Sequence, residues 1–305
     1  MKKIKLRAPA TTANVGPGYD IFAMALKEPY DDYYLELNDT GKITFEVEGI
    51  QKNIPLDAND NTAGLALLEM FKRYDIKHGV HVKIIKNMVS GCGLGTTGAS
   101  AAACIYGVNK MLDMKLDNNE LVDLARMGEV ASGGSPHADN VSAALLGGFT
   151  LVRSYNPMDV LKLDLCEFPV VLAVIKKSQR TTRGFITYEI GQERLKEQIA
   201  RCSSVINAIH MRDLKEFGKA VSVDHIAEPV RGAAIPKYFQ IKKKILKSGA
   251  FGCNISGGGS SVFAVCESKK TEKIASIMEE SFSHNPYFVK VIITSTSNLG
   301  VHEID

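Results

Sequence analysis

The 305-residue sequence predicts an α+β fold. Three observations carry that expectation. Strand-like alternation recurs at residues 3–7, 33–37 and 43–47, close together at the start of the chain. Amphipathic helical stretches follow without the regular rhythm of a parallel sheet. Residues 169–175 are one continuous apolar run, as expected of a central strand buried on both faces.

In chain order, the three early strands are followed by an amphipathic helix over 62–73, with Leu65, Leu67, Leu68 and Phe71 toward one side. Residues 80–85 alternate as a further strand, and 99–112 form a helix of small residues. Asp117 with Glu120 three residues later is a capping-box signature for a helix reaching about residue 131, stopped by Gly133-Gly134-Ser135-Pro136. Residues 148–152 read as the next strand. A second unit begins near Leu161: the strand 169–175, a polar loop over 176–183, and helices over 193–211 and 236–248. A strand pair follows over 251–255 and 261–265, then a helix over 271–281 and a last strand over 288–293. Lys242-Lys243-Lys244 reads as the solvated face of a helix.

Apolar residues make up 45% and charged residues 23%, the profile of a globular protein with an ample core. A net charge of +3, with Lys and Arg spread along the chain, argues against nucleic acid as a partner. The six cysteines form no Cys-x-x-Cys pair and have no His at zinc spacing. The N-terminus alternates charge and lacks a signal-peptide core, and no apolar run nears the roughly 20 residues of a membrane span. A cytoplasmic location without membrane contact is therefore expected.

The most informative stretch is Gly91-Cys92-Gly93-Leu94-Gly95-Thr96-Thr97-Gly98-Ala99-Ser100, between a strand and a helix. Glycines allow close backbone approach to a ligand, and the N–H groups of the following helix start attract anions. The hydroxyls of Thr96, Thr97 and Ser100 suit phosphate oxygens or Mg²⁺. No Lys follows the last glycine, so this is not a Walker A loop. Close packing of helix on sheet would also explain Gly98, Ala99 and Ala101.

Other candidates carry two readings each. Glu129 follows Leu121 and Ala125 on one helical stripe, so it either binds a metal or reaches water at a frayed helix end. His137, Asp139 and Asn140 crowd an element boundary, as a site edge or as helix caps. The segment 10–20, with Asn14 and Asp20 around Gly16-Pro17-Gly18, forms a sharp turn after the first strand that could face a small substrate. The loop 256–261, including Gly257, either closes over a ligand or is a flexible hairpin. Arg231, in a loop-like Glu-Pro-Val-Arg-Gly setting, is suited to a carboxylate or phosphate, or lies on the surface.

As an ordered set spanning nearly the whole chain, these segments resemble the GHMP kinase family, and within it the archaeal-type branch that phosphorylates homoserine. The segments are the 14–20 turn, the loop 91–101, Gly128-Glu129, His137-Ala138-Asp139-Asn140-Val141, Glu228-Pro229-Val230-Arg231-Gly232, Ile235-Pro236 with Tyr238-Phe239, and the loop 256–261. The resemblance implies a ribosomal-S5-like N-terminal domain over 1–160, a ferredoxin-like C-terminal domain over 161–305, and a site between them. It implies ATP and Mg²⁺ as cofactors. The phosphates would lie on Gly91, Gly93, Leu94, Gly95, Thr96, Thr97, Gly98, Ala99, Ser100 and Ala101. Thr97 and Glu129 would hold Mg²⁺, and Asn61 with Thr62 would lie near the adenine. Asn14, Asp20, His137, Thr181, Arg231 and Gly257 would hold a small hydroxy amino acid, with Asp139 and Asn140 beside its reacting hydroxyl. No catalytic base is assigned, and a homodimer is left open.

Three departures from the family pattern stand out. Gly95-Thr96-Thr97-Gly98-Ala99-Ser100 replaces Gly-Ser-Ser-Ala-Ala-Ser and keeps the hydroxyls. Ser256-Gly257-Gly258-Gly259-Ser260-Ser261 replaces Ser-Gly-Ser-Gly-Pro-Ser. Phe185 stands four residues after Thr181, where such kinases place an Arg for the substrate carboxylate, with Arg180 and Arg183 as the nearby alternatives. The alternatives to homoserine phosphorylation are a sister kinase for another small alcohol, such as threonine or pantoate, and a non-catalytic relative that binds ligand.

Overall fold

The computed structural model describes residues 2–177 and 189–305. Seven strands form the first sheet: β1 (Lys3–Ala13), β2 (Phe22–Asn38), β3 (Ile43–Gly49), β4 (Gly79–Lys86), β5 (Phe149–Tyr155), β6 (Met158–Leu163) and, from the end of the chain, β11 (His302–Glu303). The order along it is β11-β1-β2-β4-β3, and β5 pairs with the start of β2 and with β6. β3 and β4 are parallel and the other pairs antiparallel. A register shift between Pro9 and Thr11 lets β1 continue to Ala13. Thr11 and Thr12 are thus strand residues, and the turn proper spans 14–20.

The second sheet has the order β10-β7-β9-β8, with β7 (Pro169–Ile175), β8 (Gly252–Ile255), β9 (Val262–Val265) and β10 (Phe288–Ser295). β7 explains its own apolar run. Val170, Leu172 and Val174 join the large core shared with the first sheet, whereas Val171, Ala173 and Ile175 face a second core with Ile241, Ile274 and Met278. Both faces of the strand are covered, so no polar side chain interrupts it.

Helices α1 (Thr62–Arg73), α2 (Thr96–Leu112), α3 (Asn118–Arg126), α4 (Val130–Gly133) and α5 (Asp139–Leu146) supply the inner layer of the first unit. The buried side of α1 is Ala63, Ala66, Leu67, Met70 and Phe71; Leu65 is half-buried and Leu68 exposed. The helix is rotated from the expected stripe, because the small alanines, not the two outer leucines, fit against its neighbours. Asp117 and Glu120 do form the capping box of α3. That helix ends at Arg126, sooner than its periodicity suggests, and passes through a 3₁₀ turn, Met127–Glu129. Gly128 bends there against α1: a Cβ on it would lie 2.1 Å from the Thr62 carbonyl oxygen.

The second unit adds α6 (Gln192–His210), α7 (Leu214–Val221), α8 (Glu228–Ala233), α9 (Tyr238–Lys247) and α10 (Thr271–Phe282). Arg231 sits in α8 and not in a loop. Asp224 makes that helix start: its carboxylate accepts from the backbone N–H groups of Ile226, Ala227 and Glu228 at 2.8, 3.1 and 3.0 Å. Lys242 is not on a solvated face either. It bonds the Ser222 carbonyl at 2.7 Å and the buried Glu228 carboxylate, because α9 packs that side against α8. All six cysteines are free thiols. Among the described residues, no helix is long and apolar enough to cross a membrane.

Candidate functional site

The glycine-rich stretch runs from the end of β4 into α2, and Gly91, Gly93 and Gly95 all have φ between 64° and 78°. Gly95 precedes the first turn of α2, and no side chain caps it. A Cβ there would lie 1.9 Å from Thr11 Oγ1 and 2.7 Å from Asn140 Oδ1, which are themselves bonded at 2.8 Å. The sequence needs glycine at this point because β1, α2 and α5 converge on it. Gly95→Ala combines that clash with a left-handed backbone costing roughly 1–2 kcal/mol. The expected result is a lower thermal midpoint, checked by thermal denaturation.

The hydroxyl end of α2 opens into a cleft lined by Asn53, Asp60, Asn61, Thr62, Lys86, Ser90, Thr96, Thr97, Ser100 and Ala131. Five sequence candidates, Asn61, Thr62, Thr96, Thr97 and Ser100, therefore share one wall system. Asn61 is also the cap of α1: its Oδ1 accepts from the Ala63 and Gly64 N–H groups and its Nδ2 donates to the Pro55 carbonyl. Ala99 and Ala101 turn their side chains into the core, and Gly98 lets α2 approach Val141 of α5. A wider hollow of about 570 Å³ lies on the first sheet around Lys3, Tyr34, Glu36 and Lys83. It is a surface of paired charges, Lys3–Glu36 and Lys83–Glu48, without a helix terminus or glycine turn, so size does not decide between them.

Beneath the start of α2 lies a buried ion pair that sequence reasoning missed. Lys86 bonds the Asp31 carboxylate and the Thr96 hydroxyl, and all three are buried. Asp31 also accepts from the Asn87 and Met88 N–H groups at 2.7 and 2.9 Å. Burial pulls the Lys86 ammonium pKa down, opposed by Asp31. Ser100 donates to the Thr96 carbonyl at 3.1 Å, which leaves Tyr33 to donate to Ser100 at 2.9 Å. Desolvating such a pair costs several kcal/mol per ion, offset here by these extra hydrogen bonds. The signal was present: Lys86 continues the inward set Val80, Val82 and Ile84 of β4, where a charge has no place without a partner.

Glu129 is 6% exposed, and Thr97 lies half-buried on the first turn of α2. The 3₁₀ turn carrying Glu129 packs on α1 and is followed by Ala131 in the cleft wall. Among the described residues there is no cluster of three or more His, Cys, Asp or Glu suited to a metal. One carboxylate and one hydroxyl are hard oxygen donors, the set expected for a Mg²⁺ ion that takes its other ligands from phosphates and water.

On the other side of Asn140 the remaining candidates form a continuous chain. Asp139 opens α5, 1% exposed; its Oδ1 accepts from the Asn140 N–H at 2.8 Å. His137 Nδ1 stands 3.8 Å from Asp20 Oδ1, and Asn14 Oδ1 accepts from the Asp20 N–H at 2.8 Å. Asn14 and Asp20 both adopt φ of 56°, a conformation Asn and Asp tolerate. Tyr155, at the end of β5, joins these segments: its hydroxyl donates to the Asp20 carbonyl at 3.1 Å and accepts from the Ala138 N–H at 3.4 Å. Burial, with Asp139 nearby, pushes that hydroxyl up to about 12, so it stays a donor. Three buried atoms here, Asp139 Oδ2, Asn14 Nδ2 and Thr12 Oγ1, lack a hydrogen-bond partner among the described residues.

Arg231 reaches the same place from the second unit. It is 9% exposed, donates to the Gly257 carbonyl at 2.6 Å and lies 5.5 Å from the centre of the Tyr19 ring. The Gly257 N–H donates to the Ala13 carbonyl at 2.9 Å, and Ser256 Oγ donates to the Gly93 carbonyl at 2.7 Å. The late glycine loop is therefore pinned between β1 and the glycine stretch 91–95 and is no free hairpin. Thr181, with Arg180, Arg183 and Phe185, lies outside the described residues.

Two family models match this chain: the GHMP kinases N terminal domain over residues 61–148 and the GHMP kinases C terminal over 203–284. A homoserine kinase of Methanococcus vannielii is 36% identical over 294 residues, 95% of this chain and 97% of the relative. The chain belongs to the GHMP kinase family. A homoserine kinase of Pyrococcus abyssi is 34% identical to this GHMP kinase, over 97% of the chain and 98% of the relative. The crystal structure of homoserine kinase from Cytophaga hutchinsonii superposes on it with a TM-score of 0.89 at 32% identity, covering 100% of this chain and 98% of that one. The two-sheet arrangement with mixed helices is thus the GHMP kinase fold, and the glycine stretch and Glu129 fall inside the matched N-terminal region.

Proposed function

We propose that this GHMP kinase transfers the γ-phosphoryl group of ATP to the side-chain hydroxyl of L-homoserine, giving O-phospho-L-homoserine for threonine biosynthesis. The observation that carries this reading is the buried polar row between the phosphate loop and Arg231. Asp139 Oδ2 and Asn14 Nδ2 are buried there without a partner among the described residues, a cost that a polar ligand would relieve. Relatives named homoserine kinase over nearly the full length point to the same acceptor.

In this reading the N–H groups at the start of α2 and the hydroxyls of Thr96, Thr97 and Ser100 receive the phosphates, with the Lys86–Asp31 pair fixing Thr96 from below. Asn61 and Thr62 border the base. Thr97 and Glu129 hold Mg²⁺, whose charge, when bound, offsets the negative charge on the transferring phosphoryl group. Asn14, Asp20 and His137 orient the acceptor's amino end, and Arg231 takes its carboxylate. Asp139 and Asn140 hold the reacting hydroxyl in line, so catalysis rests on positioning and charge neutralisation. The expected boundary at 160/161 would cut β6; the sheet division supports one just after β6, near Leu163, with β11 returning to the first sheet.

An ADP-release assay over homoserine, threonine, serine, pantoate and mevalonate tests the acceptor. Homoserine should give the highest kcat/KM. Preference for threonine, serine, pantoate or mevalonate over homoserine would replace this reading with that of a sister kinase, and no ADP release with any alcohol would leave a ligand-binding relative.

A further inference from the structure

The proposed acceptor site draws its polar groups from both units: Asn14 and Asp20 from the turn after β1, Arg231 from α8. Something must hold those halves in register. A single buried amide spans them. Gln198 on α6 is 3% exposed, and its Nε2 donates to the Pro17 carbonyl at 2.7 Å, in the middle of the 14–20 turn. The same nitrogen donates to Asp224 Oδ1 at 3.2 Å, and its Oε1 accepts from the His225 N–H at 2.7 Å. Asp224 is the carboxylate that starts the segment leading into α8. Cys202, one turn on along α6, adds a weaker bond to the Pro17 carbonyl at 3.4 Å.

Elsewhere α6 shows little reason for a buried amide. Its other fully buried residues are Val205 and Ala208, and Leu195 and Ile199 on its first turns are exposed. An amide buried at that position is costly unless all its bonds are made, and here they run to both halves of the site. The contact beside it has no slack: a Cβ on Gly16 would lie 2.4 Å from the Val221 Cα. The geometry points to Gln198 as a positioning residue for the acceptor, clamping the Asn14–Asp20 turn to the Arg231 helix so that both grip one small molecule. It does not touch the acceptor, and it lies away from the cleft of Thr96 and Asn61. This inference rests on the acceptor assignment above.

The test compares Gln198→Met and Gln198→Glu with the wild type in the full-length enzyme, by steady-state kinetics and thermal denaturation. Gln198→Met keeps length but loses every hydrogen bond; the acceptor's KM should rise about 10-fold, the scale of losing a buried hydrogen bond, with ATP's KM unchanged within about twofold. Gln198→Glu keeps an acceptor for the His225 N–H but sets a carboxylate against the Pro17 carbonyl and Asp224. Its acceptor KM should be raised at about pH 8 and recover toward wild type near pH 6, as protonation returns an O–H donor. Asp224, Cys202 and the Glu197 pairs with His225 and Arg201 also surround this position, so the comparison is the ratio to wild type at each pH. An unchanged acceptor KM in both variants, or equal rises for ATP and acceptor with a lowered midpoint, overturns the inference. Arg231→Ala run in parallel separates the levels: an effect there with silent Gln198 variants sinks the clamp alone, and silence in all three removes the acceptor site too.

Discussion

Glu129→Gln should lower kcat by at least about 100-fold while the thermal midpoint stays within a degree or two of wild type, the scale expected when a group acting on the transferring phosphoryl is lost. The substitution keeps the shape and volume of a side chain that is 6% exposed, removes its charge and turns one acceptor oxygen into an N–H donor. In the proposed site the charge serves Mg²⁺. The Mg²⁺ concentration for half-maximal rate should rise with the loss, because Thr97 alone supplies a neutral oxygen. Wild-type turnover in Glu129→Gln at saturating ATP and ordinary Mg²⁺ would remove Glu129 from the metal site.

Much of this fold could be read from local pattern, because burial is periodic where it is simple. β7 is apolar throughout because both faces are covered, and α3 begins at a capping box that satisfies its own backbone. Part of what escaped depended on contacts far away in sequence, whereas the starts of α7 and α8 are local. β11 is two residues long and exists only because β1 offers Leu6 and Arg7 an edge. α1 turned its alanines inward because its neighbours lie close, a fact no single stripe can express. α8 looked like a loop because Pro and Gly surround Arg231; its start is made by Asp224, four residues upstream of Glu228. α7 was missed although Asp213 and Glu216 spell a helix start, with Asp213 accepting from the Glu216 N–H at 3.0 Å.

The site divides along the same line. The glycine stretch is legible because backbone chemistry is local: φ near +64° at Gly95 and an uncapped helix start follow from residues next to one another. Lys86, Asp31 and Gln198 act through partners 10 to 181 positions distant, and only the burial of a charge or amide betrays them; Tyr155, whose partner Asp20 is 135 positions away, carries no such signal. The pinning of the loop 256–261 under Gly93 belongs there too, since either a lid or a hairpin satisfied its sequence.

Arg231→Ala should weaken kcat/KM for homoserine by about 10- to 150-fold, the effect of losing one charged hydrogen bond, and leave ATP's KM nearly untouched. The location of Arg231 sharpens this expectation. One N–H of its guanidinium is committed to the Gly257 carbonyl, and Tyr19 lies against it, so the group is held in orientation and does not sweep a surface. An oriented fork can pair bidentately with a carboxylate. Arg231→Lys should then recover only part of the loss, because an ammonium presents a point charge and cannot keep both Gly257 and the carboxylate in plane. Gly257 hangs on β1 through the Ala13 carbonyl, so the truncation could also loosen that loop; a midpoint lowered in Ala but not in Lys would report this. In the proposed site, with Phe185 four residues after Thr181, the acceptor carboxylate would lean on Arg231 unless Arg180 or Arg183 shares it. Arg180→Ala and Arg183→Ala divide those cases: a loss comparable to that of Arg231→Ala in one of them names the second partner, and none in either leaves Arg231 alone. If homoserine kinetics ignore all four substitutions, the acceptor has no carboxylate contact here and is not an amino acid held in this way.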